Sequence, residues 1–140
     1  MPGEPQTLPV GNLRKVVERF GFVELAYLFG SFVRGEVYHD LDLGLVLNES
    51  LSLKERWPYA LKVAGEAEKA IKYAVPVDVR LLNEAPPKFS YQVLKTGRLL
   101  FARSEAVRIR YEKEIMLAYL DFQETDRWFD AKLLEAVSRL

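Results

Sequence analysis

The chain has 140 residues, 49% of them hydrophobic, and its 20 basic and 20 acidic side chains give a formal net charge of zero. This length and hydrophobic content suit one domain over residues 1–140 with a core of its own, and they exclude a disordered chain. Zero net charge argues against strong nucleic-acid binding by bulk charge. The absence of cysteine excludes disulfides and thiol chemistry.

The first third of the chain predicts a loose tail, a helix and two strands. Residues 1–7 carry an acidic residue and prolines, which is typical of a tail and not of a signal peptide. The apolar spacing predicts a helix over residues 9–20 that a glycine ends. Residues 23–29 are almost continuously apolar, which predicts a central strand. Residues 40–47 alternate between polar and apolar positions and predict a second strand.

The rest of the chain predicts alternating helices and strands. In chain order, these are a helix from Leu53 or Trp57 to Tyr73, a strand over residues 75–82, a helix from Pro86 to Gly97, an edge strand over residues 98–102, and a helix from Ser104 or Glu105 towards Leu140. No apolar run is long enough to cross a bilayer. We therefore expect a cytoplasmic protein with no membrane attachment.

Three carboxylates are expected to meet on one face of the predicted sheet. Asp40 and Asp42 alternate along the second strand, so both point away from Leu41 and Leu43. Asp78 lies on the polar face of the third strand and joins them if the two strands pair. Two like charges about 4 Å apart repel by roughly 4 kcal/mol at an effective dielectric near 20, so the cluster needs a cation. Carboxylate oxygens suit Mg²⁺ or Mn²⁺, with substrate phosphates completing the shell.

A turn of small residues after the first strand predicts a phosphate site. Gly30 has no Cβ, so the backbone can turn sharply there and approach a ligand closely. Ser31 is expected to cap a short helix over residues 32–35, whose free N–H groups suit an anion. A phosphate cradle beside a metal-binding acid cluster indicates nucleotidyl transfer by two metal ions.

This ordered set of motifs resembles the minimal nucleotidyltransferases of the polymerase-β-like superfamily. The similarity is carried by residues 30–35, 40–43 and 77–79 within roughly residues 22–102. It implies an α/β (α+β) fold, with a small mixed sheet and helices packed on one side. The core would cover about residues 9–102, ahead of a C-terminal helical segment.

The resemblance also implies a role for each motif residue. Gly30 and Ser31 would hold the phosphates of ATP. Asp40 and Asp42 would bind two metal ions, with Mg²⁺ favoured and Mn²⁺ as the alternative. Asp78 would complete the metal site and help to activate the acceptor hydroxyl.

Three neighbouring side chains leave alternatives open. Arg34 either contacts phosphate or neutralises a nearby acid. Arg80, on the acidic face of the third strand, is either a salt-bridge partner or part of the site. His39 is the only histidine and is either solvated or an acid–base group. The stretch between Ser31 and Asp40 is shorter than is usual in the family, which leaves open a member that binds without turnover.

The C-terminal helix carries more apolar residues than one buried stripe requires. The stripe consists of Val107, Tyr111, Ile115, Ala118 and Phe122, and the surplus consists of Ile109, Met116, Tyr119, Leu120, Trp128, Phe129 and Leu134. A helix of some 35 residues would span about 50 Å, whereas a chain of this length has a radius of gyration of about 14 Å. The helix, in which a break near residues 121–126 stays open, either folds back to close the core or presents its aromatics to another protein.

Minimal nucleotidyltransferases are similar to the antitoxins of toxin–antitoxin pairs, whose partner is a helical HEPN-type RNase. The resemblance implies transfer of AMP from ATP to a tyrosine hydroxyl of such a partner, bound through the C-terminal helical segment (about residues 104–140). One alternative is a catalytically inactive module that neutralises its partner by contact. Another is a nucleotidyltransferase for a small molecule. Homo-oligomerisation is left open.

Overall fold

The structure, a computed structural model, describes residues 8–139, and the tail expected over residues 1–7 lies outside the described residues. Its elements are, in chain order, α1 (Val10–Glu18), β1 (Val23–Phe29), β2 (Leu41–Leu47), α2 (Leu53–Ala70), β3 (Val77–Leu81), a 3₁₀ helix (Leu82–Glu84), α3 (Pro87–Thr96), β4 (Arg98–Ala102) and α4 (Glu105–Ser138). The predicted strands and the four longer helices are confirmed, most with shifted ends, whereas the short helix expected over residues 32–35 is absent from the described residues.

The four strands form one mixed sheet in the order β3-β2-β1-β4. β1 is antiparallel to both β2 and β4, whereas β3 runs parallel to β2 after the crossover through α2. The apolar run of β1 explains its central position, because a strand covered on both faces has no solvent-facing side to make polar. The predicted edge position of β4 is confirmed.

One face of the sheet packs against α1 and α2. Its core consists mainly of alternating strand residues and the facing helix residues, including Leu13, Val17, Ala26, Leu28, Leu41, Leu43, Leu45, Leu47, Val63, Ala67, Val77 and Val79. Burial of each large aliphatic side chain contributes about 1.5–3 kcal/mol relative to exposure. Because these side chains occupy one face of β2 and β3, the alternate side chains of both strands point away from α1 and α2.

The opposite face is covered as well, by α3 and the first turns of α4. Leu25 and Tyr27 of β1 pack there with Val93 of α3, and Val107 and Tyr111 of α4 lie against the same cluster. The fold class inferred from the sequence is confirmed. The resemblance implied helices on one side of the sheet. Only α1 and α2 share one side, whereas α3 and the first turns of α4 pack on the other.

The third strand is shorter than the alternation over residues 75–82 predicted. Lys72 and Tyr73 both have positive φ, at 55° and 57°, so the chain turns sharply between α2 and β3. The strand begins only at Val77, after a proline. It ends at Leu81 because the next three residues form the 3₁₀ helix.

Helix α4 is continuous through residues 121–126, so no break occurs there. The hydroxyl of Ser104 caps its start by accepting a hydrogen bond from the Val107 N–H at 3.1 Å. At about 1.5 Å per residue, the 34 residues span roughly 50 Å. The first half packs on α3, where the rings of Tyr91 and Tyr119 stack at 4.0 Å. The second half projects, and Trp128 is 61% exposed.

Among the helices of residues 8–139, none combines the length and the apolar character that crossing a bilayer requires.

Candidate functional site

Three carboxylates converge at one end of the β2–β3 pair. Asp42 and Asp78 are register partners on adjacent parallel strands, and Asp40 lies in the bend just before β2. One carboxylate oxygen from each of the three lies within 4.8 Å of the others. The predicted meeting of the acids is confirmed. The strand itself begins at Leu41, so Asp40 lies in the bend immediately before it.

The electrostatics of the cluster favour a cation. Partial burial raises the pKa of Asp42, and the charges of Asp40 and Asp78 raise it further. Arg80 and Arg34 oppose this shift only in part. Three hard oxygen donors whose negative charge is only partly compensated form the ligand set that a divalent ion such as Mg²⁺ or Mn²⁺ prefers. The residues present therefore fit a divalent metal.

The turn after β1 lies directly against this cluster. Gly30 has φ +80°, and a Cβ at this position would overlap Oδ2 of Asp42. Only glycine satisfies both the backbone angle and the close approach. The small residue singled out by the sequence thus brings the turn within contact of the acids.

The short helix expected over residues 32–35 is wrong. The segment forms successive turns, in which the Gly30 carbonyl accepts from the Arg34 N–H at 3.2 Å and the Ser31 carbonyl accepts from the Glu36 N–H at 3.1 Å. The Ser31 hydroxyl does not cap a helix, but accepts a hydrogen bond from Nη2 of Arg34 at 3.4 Å. A phosphate group here would meet a turn and a hydroxyl, and no helix N-terminus.

Arg34 is exposed and forms a two-pronged pair with Glu36. Its Nε donates to Oε1 at 3.0 Å and its Nη2 donates to Oε2 at 3.2 Å. These contacts raise the pKa of Arg34, with a smaller contribution from Asp42. Arg34 therefore neutralises acids in this structure while staying beside the Gly30–Ser31 turn. His39 is exposed in the bend before Asp40.

A second arginine near the turn was not found from the sequence. Arg98 at the start of β4 is the register partner of Leu28, close to the end of β1. Its guanidinium lies 5.9 Å from the centre of the Phe32 ring, and Phe32 packs edge-on against Tyr38 at 5.1 Å. The only sequence signal was a positive charge at the start of an edge strand, which is common and uninformative. Pairing of β4 with β1 brings this charge to the site.

Arg80 is also placed beside the cluster. Its Nε lies 3.6 Å from Oδ2 of Asp78, so the salt-bridge interpretation of Arg80 is confirmed. Both side chains are substantially exposed, at 60% and 42%, so the pair itself contributes little stability. Its effect is local, because it partly offsets the negative charge at one side of the acid cluster.

Solved toxin–antitoxin structures have a similar fold. One, a complex with AMP-PNP, gives a TM-score of 0.67 at 21% identity and covers 91% of this chain and 99% of that chain. Another, from Shewanella oneidensis, contains a tri-AMPylated HEPN toxin with its MNT antitoxin; it gives 0.63 at 21% identity and covers 89% and 95%. An MntA–HepT complex gives 0.59 at 20% identity and covers 88% and 97%. At these identities the likeness establishes the fold alone.

Among curated proteins, no significant match to the chain was found. The family described as "Polymerase beta, Nucleotidyltransferase" matches residues 11–106, which include β1 to β4, the Gly30–Ser31 turn and all three acids. The match covers more than half of the chain, and it agrees with the fold and with the resemblance of the motifs. The chain therefore belongs to the polymerase β nucleotidyltransferase family.

Proposed function

We propose that this protein transfers AMP from ATP, with Mg²⁺, to a hydroxyl group of a helical HEPN-type partner protein in the cytoplasm. The convergence of Asp40, Asp42 and Asp78 beside the Gly30–Ser31 turn carries this proposal. Family membership supports the reaction class. The fold shared with MNT antitoxins supports the choice of partner.

In this proposal the three acids have distinct roles. Asp40 and Asp42 would hold the divalent metal, and Asp78 would bind the metal next to the acceptor hydroxyl. Bound metal would supply positive charge to the phosphates and to the leaving pyrophosphate. The acceptor oxygen forms a bond to the α-phosphorus, and the bond from that phosphorus to the pyrophosphate oxygen breaks. The hydroxyl proton passes to the carboxylate of Asp78 and then to water.

The turn would orient the triphosphate. Gly30 lets the backbone approach the phosphates closely, and the Ser31 hydroxyl can donate to a phosphate oxygen. Arg34 and Arg98 are two cations beside this turn. Arg34 would exchange its pairing with Glu36 for a phosphate contact when nucleotide binds, since an exposed pair of this kind is worth little.

The projecting half of α4 would meet the partner. Its exposed apolar side chains are Leu120, Phe122, Trp128, Phe129, Leu133, Leu134 and Val137. Aromatic side chains of this exposure are enriched where proteins associate. The shape supports an acceptor carried by a macromolecule, because α4 extends well beyond the body that holds the acids.

The test is transfer of label from α-³²P-ATP with Mg²⁺, with and without the product of the neighbouring gene. We expect label on the partner, and its loss by at least a hundredfold with Asp42→Asn while the fold is retained. Glu49→Gln serves as the matched control, because it removes one exposed carboxylate away from the cluster. Full transfer by Asp42→Asn, or neutralisation of the partner without any label, would overturn the proposal.

A further inference from the structure

A cleft of about 620 Å³ opens along β3, next to the acid cluster. Trp57 of α2 stands on one side, and Pro86 and Phe89 at the start of α3 stand on the other. Asp78 and Arg80 lie between these walls. Because Asp78 also belongs to the acid cluster, anything seated in the cleft lies beside the reacting groups.

The cleft runs along an unpaired strand edge. β3 is the last strand on its side of the sheet. The Leu41 N–H donates to the Pro76 carbonyl at 2.9 Å. In a parallel ladder, successive residues of a strand direct their backbone groups alternately to the two sides. Since the Pro76 carbonyl points to β2, the backbone groups of Asp78 and Arg80 also point to β2.

The backbone groups of the intervening residues, Val77 and Val79, therefore face the open edge. The Val77 N–H confirms this phase, because it points away from β2 and donates to Oε1 of Glu68 at 2.9 Å. Val79 has the same orientation, so its N–H and carbonyl groups are directed away from β2. An edge strand with outward backbone groups is a template for pairing with an extended chain.

The charges in the cleft disfavour a polyanion. Two lining residues, Asp78 and Glu84, are acidic, and Arg80 is the one cation among the lining residues of the described chain. Arg80 is already paired with Asp78 at 3.6 Å, and Glu84 is paired with Arg56 of α2 at 3.6 Å. A nucleic-acid backbone would find no free positive charge here, whereas a polypeptide needs none.

The approach to the cleft is apolar. Leu53, Trp57 and Leu61 repeat at helical spacing on α2 and are 70%, 50% and 51% exposed. Trp57 belongs both to this ridge and to the cleft, and it faces the site together with Phe89. Such walls suit a large apolar or aromatic side chain.

We propose that the β3 edge docks the acceptor. An extended segment of the acceptor polypeptide pairs with Val79, and its hydroxyl-bearing side chain enters the cleft between Trp57 and Phe89. The hydroxyl then lies beside Asp78, which takes its proton as the oxygen bonds to the α-phosphorus of ATP and pyrophosphate leaves. This inference rests on the proposed function and specifies how its acceptor is held.

Residue-resolved amide hydrogen exchange with the product of the neighbouring gene tests the pairing. We expect exchange at Val79 to slow at least tenfold on binding. Exchange at Val77 should stay unchanged, because its N–H already has a partner in Glu68. If wild-type protein transfers label to its partner while Val79 exchanges as before, strand docking is overturned and the proposed function survives. If wild-type protein transfers no label, the proposed function fails and this inference fails with it.

Transfer kinetics test the cleft. Trp57→Ala should raise KM for the acceptor about tenfold, with kcat and ATP affinity near wild-type values. Leu99→Ala, at the opposite edge of the sheet and 41% exposed, should leave all three unchanged. An unchanged KM for Trp57→Ala overturns the inference. Preferential labelling of an oligoribonucleotide 3′-hydroxyl over the partner protein also overturns it.

Discussion

Gly30 and Asp42 lie so close together that no side chain on Gly30 would fit between them. A Cβ on Gly30 would overlap Oδ2 of Asp42, and the positive φ of Gly30 is one that other residues rarely adopt. The turn that is proposed to orient phosphate and the acid that is proposed to bind metal therefore share a single steric constraint.

Comparison of Gly30→Ala with Gly35→Ala should separate the steric overlap with Asp42 from backbone strain. For Gly30→Ala, we expect a loss of about 1–2 kcal/mol in stability from the left-handed conformation, together with a drop in label transfer of at least tenfold as Asp42 is displaced. Gly35→Ala is the matched control, because Gly35 also has positive φ, +73°, but nothing lies within 4 Å of its added Cβ. Denaturant unfolding and the transfer assay check both variants. Equal transfer by the two would contradict the steric link.

The acid cluster should make metal-free protein less stable as pH rises. Folding raises the pKa of Asp42 above its ordinary value of 3.8, so the native state binds more protons than the unfolded state between those two values. Stability is therefore highest below this window and falls as pH rises through the native pKa. Asp42→Asn should flatten this fall, and so should Mg²⁺. Thermal melts across the acidic range, with chelator or with Mg²⁺, measure it. If neither change affects the pH dependence, charge repulsion within the acid cluster is not its cause.

Tyr27 connects the sheet to α4 through a partly buried hydrogen bond. Its hydroxyl donates to Oε1 of Glu112 at 3.0 Å, and Glu112 also accepts from Arg108 at 2.8 Å. Burial and the Glu112 carboxylate raise the pKa of Tyr27, so the hydroxyl stays a donor. Tyr27→Phe should cost about 1.5–3 kcal/mol, because it removes a hydrogen bond to a charged group.

Tyr111→Phe is the matched control for this loss. The Tyr111 hydroxyl is buried beside the Ser90 hydroxyl, but the two do not form a hydrogen bond of good geometry. Because this contact with Ser90 is weak, removal of the Tyr111 hydroxyl should change the free energy of unfolding by less than about 0.5 kcal/mol. Urea unfolding of both variants gives the comparison, and an equal cost for the two would show that the bond between Tyr27 and Glu112 contributes nothing.

The projecting half of α4 should affect partner binding and not the fold. Trp128 and Phe129 are 61% and 62% exposed, so Trp128→Ser with Phe129→Ser should change the free energy of unfolding by less than about 0.5 kcal/mol. Affinity for the proposed HEPN-type partner should fall at least tenfold, as measured by calorimetry. Wild-type affinity in the double variant would place the interface elsewhere.

Much of the fold could be predicted because strong local patterns coincide with real packing. The unbroken apolar run of β1 predicted its central position, and the alternating leucines of β2 predicted its buried face. The second helical layer was missed because Val93 and Tyr111 look the same on a helix whichever face of the sheet they cover. Only strand order and loop lengths decide that choice.

The parts of the site that could be predicted are those set by side-chain alternation along the strands and by the glycine in the turn. Asp42 and Asp78 follow from strand periodicity once the two strands pair in parallel. Arg98 could not be found, because its place beside Phe32 depends on the pairing of β4 with β1. The helix expected after Ser31 failed because the residues that follow it close tight turns and leave no regular helical ladder.

The parallel pairing of β2 and β3 also has a consequence for folding. Asp42 and Asp78 become neighbours only after the crossover that contains α2 has brought β3 alongside β2. The cluster therefore forms only when β2 and β3 pair, and its assembly depends on non-local contacts of the sheet. Binding of a divalent ion would then report the fraction of molecules in which β2 and β3 are paired, so an ion titration in denaturant follows the formation of this strand pair.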